Sequence, residues 1–298
     1  MENLDHRTIT NGGAAAAVPL RRQRGPEAQR DDRTHHRPGE ARQVGDLRAA
    51  HVRMDPGDPR TEAADRRRRN IYVVILAIFS GAIDAFGFLG LGGSFTSVMT
   101  GNMVLLGAAA AGWETALAGH VLTAILGYVA GTFVGARIAG EHVATDPVWP
   151  PRVTAALAVE FGLFLATGIV WLVTGAAPTA AVQLALLAAS AAGLGIQSAA
   201  IGRFGVAGLS TTYLTGTLTT LITGLAARRP IGALRRPAFI LLGLVAGAAV
   251  GALLLTHVRL LAPLVPSVLL ATVVLGAFFN TRDRSGARAA SPREASEL

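Results

Sequence analysis

The feature that most constrains this chain is a stretch of 209 residues, 71–279, that is almost free of charge. It contains eight arginines, five acidic residues and no lysine. A water-soluble domain of this size needs many charged side chains on its surface, whereas a bilayer solvates apolar side chains directly. The sequence therefore predicts an integral membrane protein, an all-α polytopic transmembrane helical bundle over residues 71–279.

The charged residues are concentrated outside this stretch. Residues 1–70 hold 15 of the 27 arginines and 11 of the 19 acidic residues, and no aromatic residue. Such a composition cannot offset the entropy cost of ordering a backbone, and it contains no apolar run long enough for a signal peptide. We expect disordered tails at 1–70, which is Arg-rich, and at 280–298. Because the other arginines lie in short loops between apolar runs, the net charge does not indicate a nucleic-acid partner.

Six apolar runs are long enough to cross a bilayer, which takes about 20 residues. They are 71–91, 116–139, 153–174, 179–201, 237–257 and 262–279. Two shorter runs, 95–112 and 209–226, are rich in Gly, Ala and Thr. The runs are separated by turn and charged residues such as Arg235-Arg236-Pro237. The sequence therefore predicts eight helices in all, six of them full spans.

The two short runs decide the topology. If both cross the bilayer there are eight spans, and Arg137, Arg152, Arg203 and Arg259 all lie outside. If both are re-entrant there are six spans, and Arg259 is the one loop arginine outside. The positive-inside bias favours the second arrangement. We therefore predict a multi-pass protein of the plasma membrane with both termini in the cytoplasm.

An internal repeat supports the six-span arrangement. A shift of 115 residues superposes Thr100-Gly101 on Thr215-Gly216, and a shift of 116 superposes two glycine series, Gly127/Gly131/Gly135 and Gly243/Gly247/Gly251. We predict repeat halves at about 71–174 and 179–279. With three full spans in each half, the second half starts on the opposite side of the membrane, as in many secondary transporters. The glycines, four residues apart, would let helix backbones approach closely.

Two carboxyl groups lie inside predicted spans. Asp84 is thirteen residues past Ile71, roughly 20 Å into its helix, and Glu160 is eight residues past Arg152, roughly 12 Å in. A carboxylate at such depth costs roughly 3 kcal/mol and often marks an ion or proton path. We predict that Asp84 is functional, with a hydrogen-bonded tie between helices as the alternative. Glu160 is a secondary candidate.

The two short runs read as interrupted helices rich in polar residues. Non-helical backbone at membrane depth leaves free N–H and C=O groups that can hold a solute or ion. The alternative is that the Ser and Thr side chains bond only to their own helix. The predicted substrate- or ion-binding residues, including Gln197 in run 179–201, are Ser97, Thr100, Gly101, Asn102, Gln197, Thr212, Thr215, Gly216 and Thr217.

At these residues the chain resembles the YoaK-like family of bacterial inner-membrane proteins, a family of unknown function. The motifs that carry the resemblance are Ile83-Asp84-Ala85, Phe95 with Thr100-Gly101-Asn102, Gly195-Ile196-Gln197, Thr211-Thr212 and Thr215-Gly216-Thr217-Leu218. The resemblance covers nearly all of residues 71–279. Ser198 departs from it, because Asn is expected after the Gln. The resemblance implies a multispanning membrane protein and names no substrate.

The residues favour a small secondary transporter or permease for a small polar solute or ion, with Asp84 as the protonatable coupling group. The alternative is a membrane scaffold or assembly partner that transports nothing. An enzyme is third, because no nucleophile–base motif, metal spacing or phosphate loop is present, although a site pairing Asp84 with Glu160 stays open. No cofactor or metal is expected, and a homo-oligomer is compatible with the sequence.

Overall fold

The computed structural model describes residues 59–143, 145–204 and 214–290, with side chains described between 60 and 280. Thr212 of the predicted site lies outside the described residues. The described part folds into α-helices joined by short connections, with a 3₁₀ turn at Arg259–Leu261. The helices are α1 Pro59–Gly90, α2 Met99–Ala111, α3 Thr115–Ala139, α4 Pro151–Val173, α5 Ala180–Gly202, α6 Leu214–Ala226, α7 Ile231–His257 and α8 Leu264–Ala290.

Six of these helices, α1, α3, α4, α5, α7 and α8, are long and apolar enough to cross a membrane. The helices α2 and α6 have 13 residues each, about 20 Å, which is shorter than the hydrocarbon core. The predicted all-α bundle of six full spans and two short helices is therefore confirmed.

The ends of the bundle differ from the predicted boundaries. Helix α1 begins at Pro59, so residues 59–70 of the expected disordered tail are helical, and α8 continues to Ala290 through the start of the expected C-terminal tail. Both extensions prolong an apolar helix that is already formed, and adding good helix formers such as Ala and Arg to it needs no new nucleation. A prediction from composition alone does not take this propagation of a formed helix into account.

Pro237 also departs from the prediction, which placed it in a gap between helices. It lies inside α7, seven residues from the start. A proline there removes one backbone hydrogen bond, and transmembrane helices tolerate this loss when their neighbours pack closely. The apolar sequence that follows is long enough to keep the helix continuous.

One end of the bundle is built around Arg203, the residue directly after α5. Its guanidinium donates to the carbonyl oxygen of Ala139, the last residue of α3, and to Asp146 Oδ2 at 2.7 Å. The backbone N–H of Val143 also donates to this carboxylate, and the two contacts hold the pKa of Asp146 below its usual range. Arg203 therefore ties the ends of α3 and α5 to the loop before α4.

The same end contains the start of α1, the start of α4 and the last spanning residues of α8. The Arg69 guanidinium lies 5.7 Å from the centre of the Phe204 ring, which in turn lies 5.3 Å from the ring of Trp149. Arg68 donates to the amide oxygen of Asn280. We call this the arginine-rich end, because seven of the eight arginines in residues 71–279 lie there, together with the arginines that begin α1.

The opposite end joins the other termini of the same helices. The indole N–H of Trp171, near the end of α4, donates to the carbonyl oxygen of Arg259 at 2.9 Å. The Gln183 side chain, near the start of α5, donates to the carbonyl oxygen of Gly90, where α1 ends, at 3.3 Å. Arg259 is therefore separated from the other loop arginines, as the six-span arrangement predicts.

Each short helix lies between two spanning helices whose neighbouring ends are at the same end of the bundle. Helix α1 ends and α3 begins at the opposite end, where Gly92 packs against the His120 ring, so α2 enters and leaves on one side. Helix α5 ends and α7 begins at the arginine-rich end, where Arg67 and Arg235 line one groove. Helix α6 therefore lies, like α2, between two spanning helices whose neighbouring ends are on one side of the bundle. This placement agrees with the re-entrant arrangement, which stays a prediction because residues 205–213 lie outside the described residues.

Glycines form the closest helix contacts of the bundle. A Cβ atom added at Gly127 or Gly131 of α3 would overlap backbone atoms of α5, and one added at Gly247 or Gly251 of α7 would overlap backbone atoms of α1. These two pairs, α3 with α5 and α1 with α7, make the most extensive helix contacts of the structure. The predicted role of both glycine series in close backbone packing is confirmed.

The two glycine contacts are equivalent position by position. Gly131 lies against the carbonyl of Ala192 in α5, and Gly247 lies against the carbonyl of Ile78 in α1. Two further kinds of contact obey the same exchange of halves: α4 packs on α5 as α8 packs on α1, and α2 packs on α3 as α6 packs on α7. This equivalence is what a two-fold related pair of repeats would produce; the inverted topology itself stays a prediction.

The equivalence can be tested by adding one methyl group to each contact. We expect Gly131→Ala and Gly247→Ala each to lower the free energy of unfolding by about 1–3 kcal/mol, because the new Cβ meets backbone that cannot rotate away. Gly119→Ala, on α3 with open space around it, is the matched control and should leave stability unchanged or raise it by up to about 1 kcal/mol, because alanine favours a helix over glycine. Thermal melting in detergent measures all three, and a neutral Gly131→Ala would contradict the packing.

Topology can be tested by cysteine labelling, because the chain contains no cysteine. We expect Val148→Cys, at the arginine-rich end, to be shielded from an impermeant thiol reagent in intact cells. Ala177→Cys, in the turn between α4 and α5 at the opposite end, should be labelled rapidly. Both should react after permeabilisation. Rapid labelling of Val148→Cys in intact cells would contradict the six-span arrangement and favour eight spans.

Candidate functional site

Asp84 organises the first break. Helix α1 ends at Gly90, and the non-helical segment 91–98 folds back along it before α2 begins. Asp84 Oδ1 accepts from the backbone N–H of Thr96 at 2.9 Å, from the Thr96 hydroxyl at 3.0 Å and from the backbone N–H of Ser97 at 2.7 Å. The Ser97 hydroxyl donates to Oδ2. The carboxyl group therefore accepts four hydrogen bonds from two consecutive residues of the break.

Asn102 closes the same segment from the other side. Its side-chain oxygen accepts from the backbone N–H of Phe95 at 2.9 Å, and its amide N–H donates to the carbonyl oxygen of Phe95 at 2.6 Å. Asn102 is fully buried. Buried backbone groups need partners, and away from water the side chains must supply them. Asp84 and Asn102 therefore supply hydrogen-bond partners for backbone groups of residues 95–97, which lie outside any helix and so lack the usual backbone partners.

This geometry favours the alternative that the sequence left open for Asp84, a hydrogen-bonded tie. Asp84 is 6% exposed, and the bonds of its carboxyl group hold segment 91–98 against α1. A coupling role for Asp84 stays a prediction. Any proton that Asp84 bound would compete with the bonds that position Thr96 and Ser97.

The second short helix, α6, shares a pattern with the first, α2. Thr100-Gly101 and Thr215-Gly216 both occupy the second and third positions of a short helix. The two threonines are exposed in the single chain, and the residues that follow each pair, Asn102 and Thr217, are buried. The two motifs lie on different helix pairs, because α2 packs on α3 and α6 packs on α7. Contact of these residues with a solute stays a prediction.

Gln197 joins the two halves of the bundle. Its amide N–H donates to the Ser80 hydroxyl of α1 at 2.8 Å, and both residues are fully buried. Ser80 lies one helical turn before Asp84, on the same face of α1. This face therefore contacts α5 through Ser80 and the first break through Asp84. The predicted residues Asp84, Ser97, Asn102 and Gln197 therefore belong to one chain of contacts along α1.

Glu160 is a buried carboxyl group that lacks hydrogen-bond partners among the described residues. It lies near the middle of α4, its side chain is fully buried, and neither carboxyl oxygen has a hydrogen-bond partner among the described residues. An isolated carboxylate in such a place is costly, whereas the neutral acid costs far less. Glu160 is therefore the described carboxyl group for which gain or loss of a proton would matter most.

Glu160 lies at the level of Gln197. Phe164, one turn after Glu160 on α4, packs against Gly193, one turn before Gln197 on α5. The two helices run antiparallel, so one turn in opposite chain directions reaches the same depth. Because Gln197 bonds to Ser80, which precedes Asp84 on α1, Glu160 lies closer to the arginine-rich end than Asp84 does. The offset along the helix axes is about one turn, and a site that pairs the two carboxyl groups stays a prediction.

Sequence reasoning missed further buried polar atoms near Glu160 and Gln197, which together we call the buried polar layer. The hydroxyls of Ser190 on α5 and Thr132 on α3 are buried, and they have no hydrogen-bond partner among the described residues. Thr132 lies against Gly195, on the face of α5 that the glycines of α3 contact. Serine and threonine at helical spacing carry no distinctive signal, so only the tertiary structure could reveal them. No three His, Asp or Glu side chains of the described residues could together hold a metal ion.

The comparisons with known proteins fit this architecture. The family model described as "Protein of unknown function (DUF1275)" matches residues 72–276, which include four whole spans, both short helices and most of the first and last spans. The chain belongs to this family. It is also 34% identical over 160 residues to the UPF0700 transmembrane protein YoaK of Bacillus subtilis (strain 168), covering 54% of this chain and 68% of that protein. No solved structure matches.

The role of Asp84 in holding the first break makes a stability prediction. Asp84→Ala should lower the free energy of unfolding by about 3–5 kcal/mol, because it leaves four buried donors without an acceptor. Asp84→Asn keeps one acceptor oxygen and should cost about 1–2 kcal/mol. Glu114→Ala, at an exposed carboxylate, is the control for both in detergent melting. An Asp84→Ala protein that melts like the wild type would contradict the tie.

Proposed function

We propose that this family member is a small secondary transporter or permease for a small polar solute or ion. The observation that carries the proposal is Glu160, a buried carboxyl group near the middle of a spanning helix with no hydrogen-bond partner among the described residues. A protein gains no stability from such a group, since an apolar residue of similar size would pack at lower cost. Its retention is therefore best explained by a function in binding.

The surroundings of Glu160 support a polar route. Gln197 lies at its depth, Ser190 lies about two turns from Gln197 on α5, and Thr132 lies across the contact between α3 and α5. Small hydroxyl and amide groups of this kind can replace the hydration of a proton, an ion or a small polar solute. In the present conformation the route is closed by close helix packing, so passage requires the helices to move relative to each other.

The helix arrangement supports such a movement. Helices α1 and α7 form one glycine-packed pair, α3 and α5 form another, and each pair combines helices from both halves. Transporters built from two repeats alternate access by moving one helix group against the other around a fixed site. In this proposal Asp84 keeps the re-entrant segment attached to α1 during that movement, and Glu160 binds the proton or the solute.

The proposal predicts that Glu160→Gln abolishes transport while the protein still folds. Purified protein in liposomes that enclose a pH-sensitive dye would be exposed in turn to Na⁺, K⁺, Mg²⁺, chloride, sulfate, inorganic phosphate, urea and glycine. We expect wild type to give a response to at least one of them and Glu160→Gln to lower it more than about tenfold. Glu114→Gln makes the same chemical change at an exposed position and should transport normally.

Two outcomes would contradict this function. If Glu160→Gln transports like the wild type, Glu160 is not part of the route. If wild type responds to none of the probes, and a deletion strain grows normally across the same solutes, the scaffold alternative is favoured. The specific observation on its side is the close backbone packing of both glycine pairs, which a scaffold would also need.

A further inference from the structure

A groove lies between α1 and α7 at the arginine-rich end, apart from the buried polar layer around Glu160. Its volume is about 500 Å³, which is the size range of ligand sites. Its lining includes three arginines, Arg67, Arg235 and Arg236, and an apolar set that includes Ile71 and Phe239. We call it the α1–α7 groove.

The charged part of the groove has one sign. No acidic residue contributes to its lining, and Arg67 and Arg235 form no ion pair with any described residue. The adjacent arginines of α1 have other contacts, since Arg66 pairs with Glu62 and Arg68 bonds to the side chain of Asn280 in α8. Like charges gathered in this way repel each other unless an anion lies among them.

The start of α7 adds to this preference. Pro230, the residue before α7, offers no side-chain cap, and Gly232 in the first turn lines the groove. The first backbone N–H groups of a helix attract anions, and α7 is 27 residues long. Arginine guanidinium groups beside such a terminus match the oxygen atoms of a phosphate group well.

The apolar part of the groove follows the charged part along the bilayer normal. Ile71 lies one turn below Arg67, and Val74 lies about one turn further. On α7, Phe239 lies one turn below Arg235, whose guanidinium is 5.9 Å from the ring centre. Ile71 is 48% exposed and Phe239 is 49% exposed, so this part opens outward to where acyl chains would lie. Charge followed by apolar surface over about 12 Å is the profile of an amphiphile.

We propose that the α1–α7 groove binds an anionic phospholipid, with its phosphate among Arg67, Arg235 and Arg236 and an acyl chain along Ile71 and Phe239. Basic pockets between transmembrane helices on the cytoplasmic side bind such headgroups in other proteins. The lack of carboxylates disfavours a zwitterionic headgroup, whose cationic group would meet three arginines. The outward apolar floor favours a lipid over free phosphate. This inference is independent of the proposed transport function.

The test compares lipid binding to variants of the full chain in detergent, by native mass spectrometry. The probes are dioleoylphosphatidylglycerol, dioleoylphosphatidylcholine and inorganic phosphate. We expect wild type to bind phosphatidylglycerol about tenfold more tightly than phosphatidylcholine. The double variant Arg67→Gln with Arg235→Gln should lose that preference. The control, Arg137→Gln with Arg152→Gln, removes the same charge at the same end from α3 and α4 and should change binding less than twofold.

A further variant, Phe239→Ala, separates a lipid from a free anion. It should weaken the binding of phosphatidylglycerol several-fold and leave any binding of inorganic phosphate unchanged. Inorganic phosphate at millimolar concentration that displaces the lipid completely would overturn the proposal in favour of a free-phosphate site. Equal loss in the control pair would reduce the effect to overall charge, and equal binding of both lipids would also overturn it. Melting within about 2 °C of wild type shows that each variant is folded.

Discussion

The structure depends on direct contact between helix backbones at glycine. In a bilayer, helices gain little from burying apolar side chains, so close packing and polar contacts hold them together. Here Gly131 meets α5 and Gly247 meets α1, at places where even a methyl group would overlap a carbonyl. These contacts join the first half of the chain to the second twice. Every other feature of the bundle is positioned by these two helix pairs.

The breaks and the buried polar residues follow from this packing. Once α1 and α7 are paired, the segment after α1 must fold back inside the membrane, where Asp84 and Asn102 bond to its backbone. Once α3 and α5 are paired, Gln197 reaches Ser80 of α1. The hydrogen bonds are thus consequences of backbone proximity. Glu160 differs from Asp84 in this respect, because no described residue satisfies its carboxyl group.

The two ends of the bundle serve different physical roles. At the arginine-rich end, Arg203 joins α3 to the loop before α4, and three arginines line the α1–α7 groove. At the opposite end, the indole of Trp171 bonds to the backbone at Arg259, and the residues there are mostly apolar or neutral. This asymmetry is what orients a membrane protein, and it also creates a place where an anionic lipid can bind.

The sequence alone determined the bundle, the six spans, the glycine contacts and the interrupted first helix, because hydrocarbon allows few structures for an uncharged chain of this length. The helix ends at Pro59 and Ala290 were not predicted from the sequence, because a formed helix propagates into charged residues. Only the tertiary structure decided which carboxyl group is satisfied. Asp84 and Glu160 look alike in sequence, but hydrogen-bond partners are set by which segment folds against each helix, and that depends on contacts far apart in the chain.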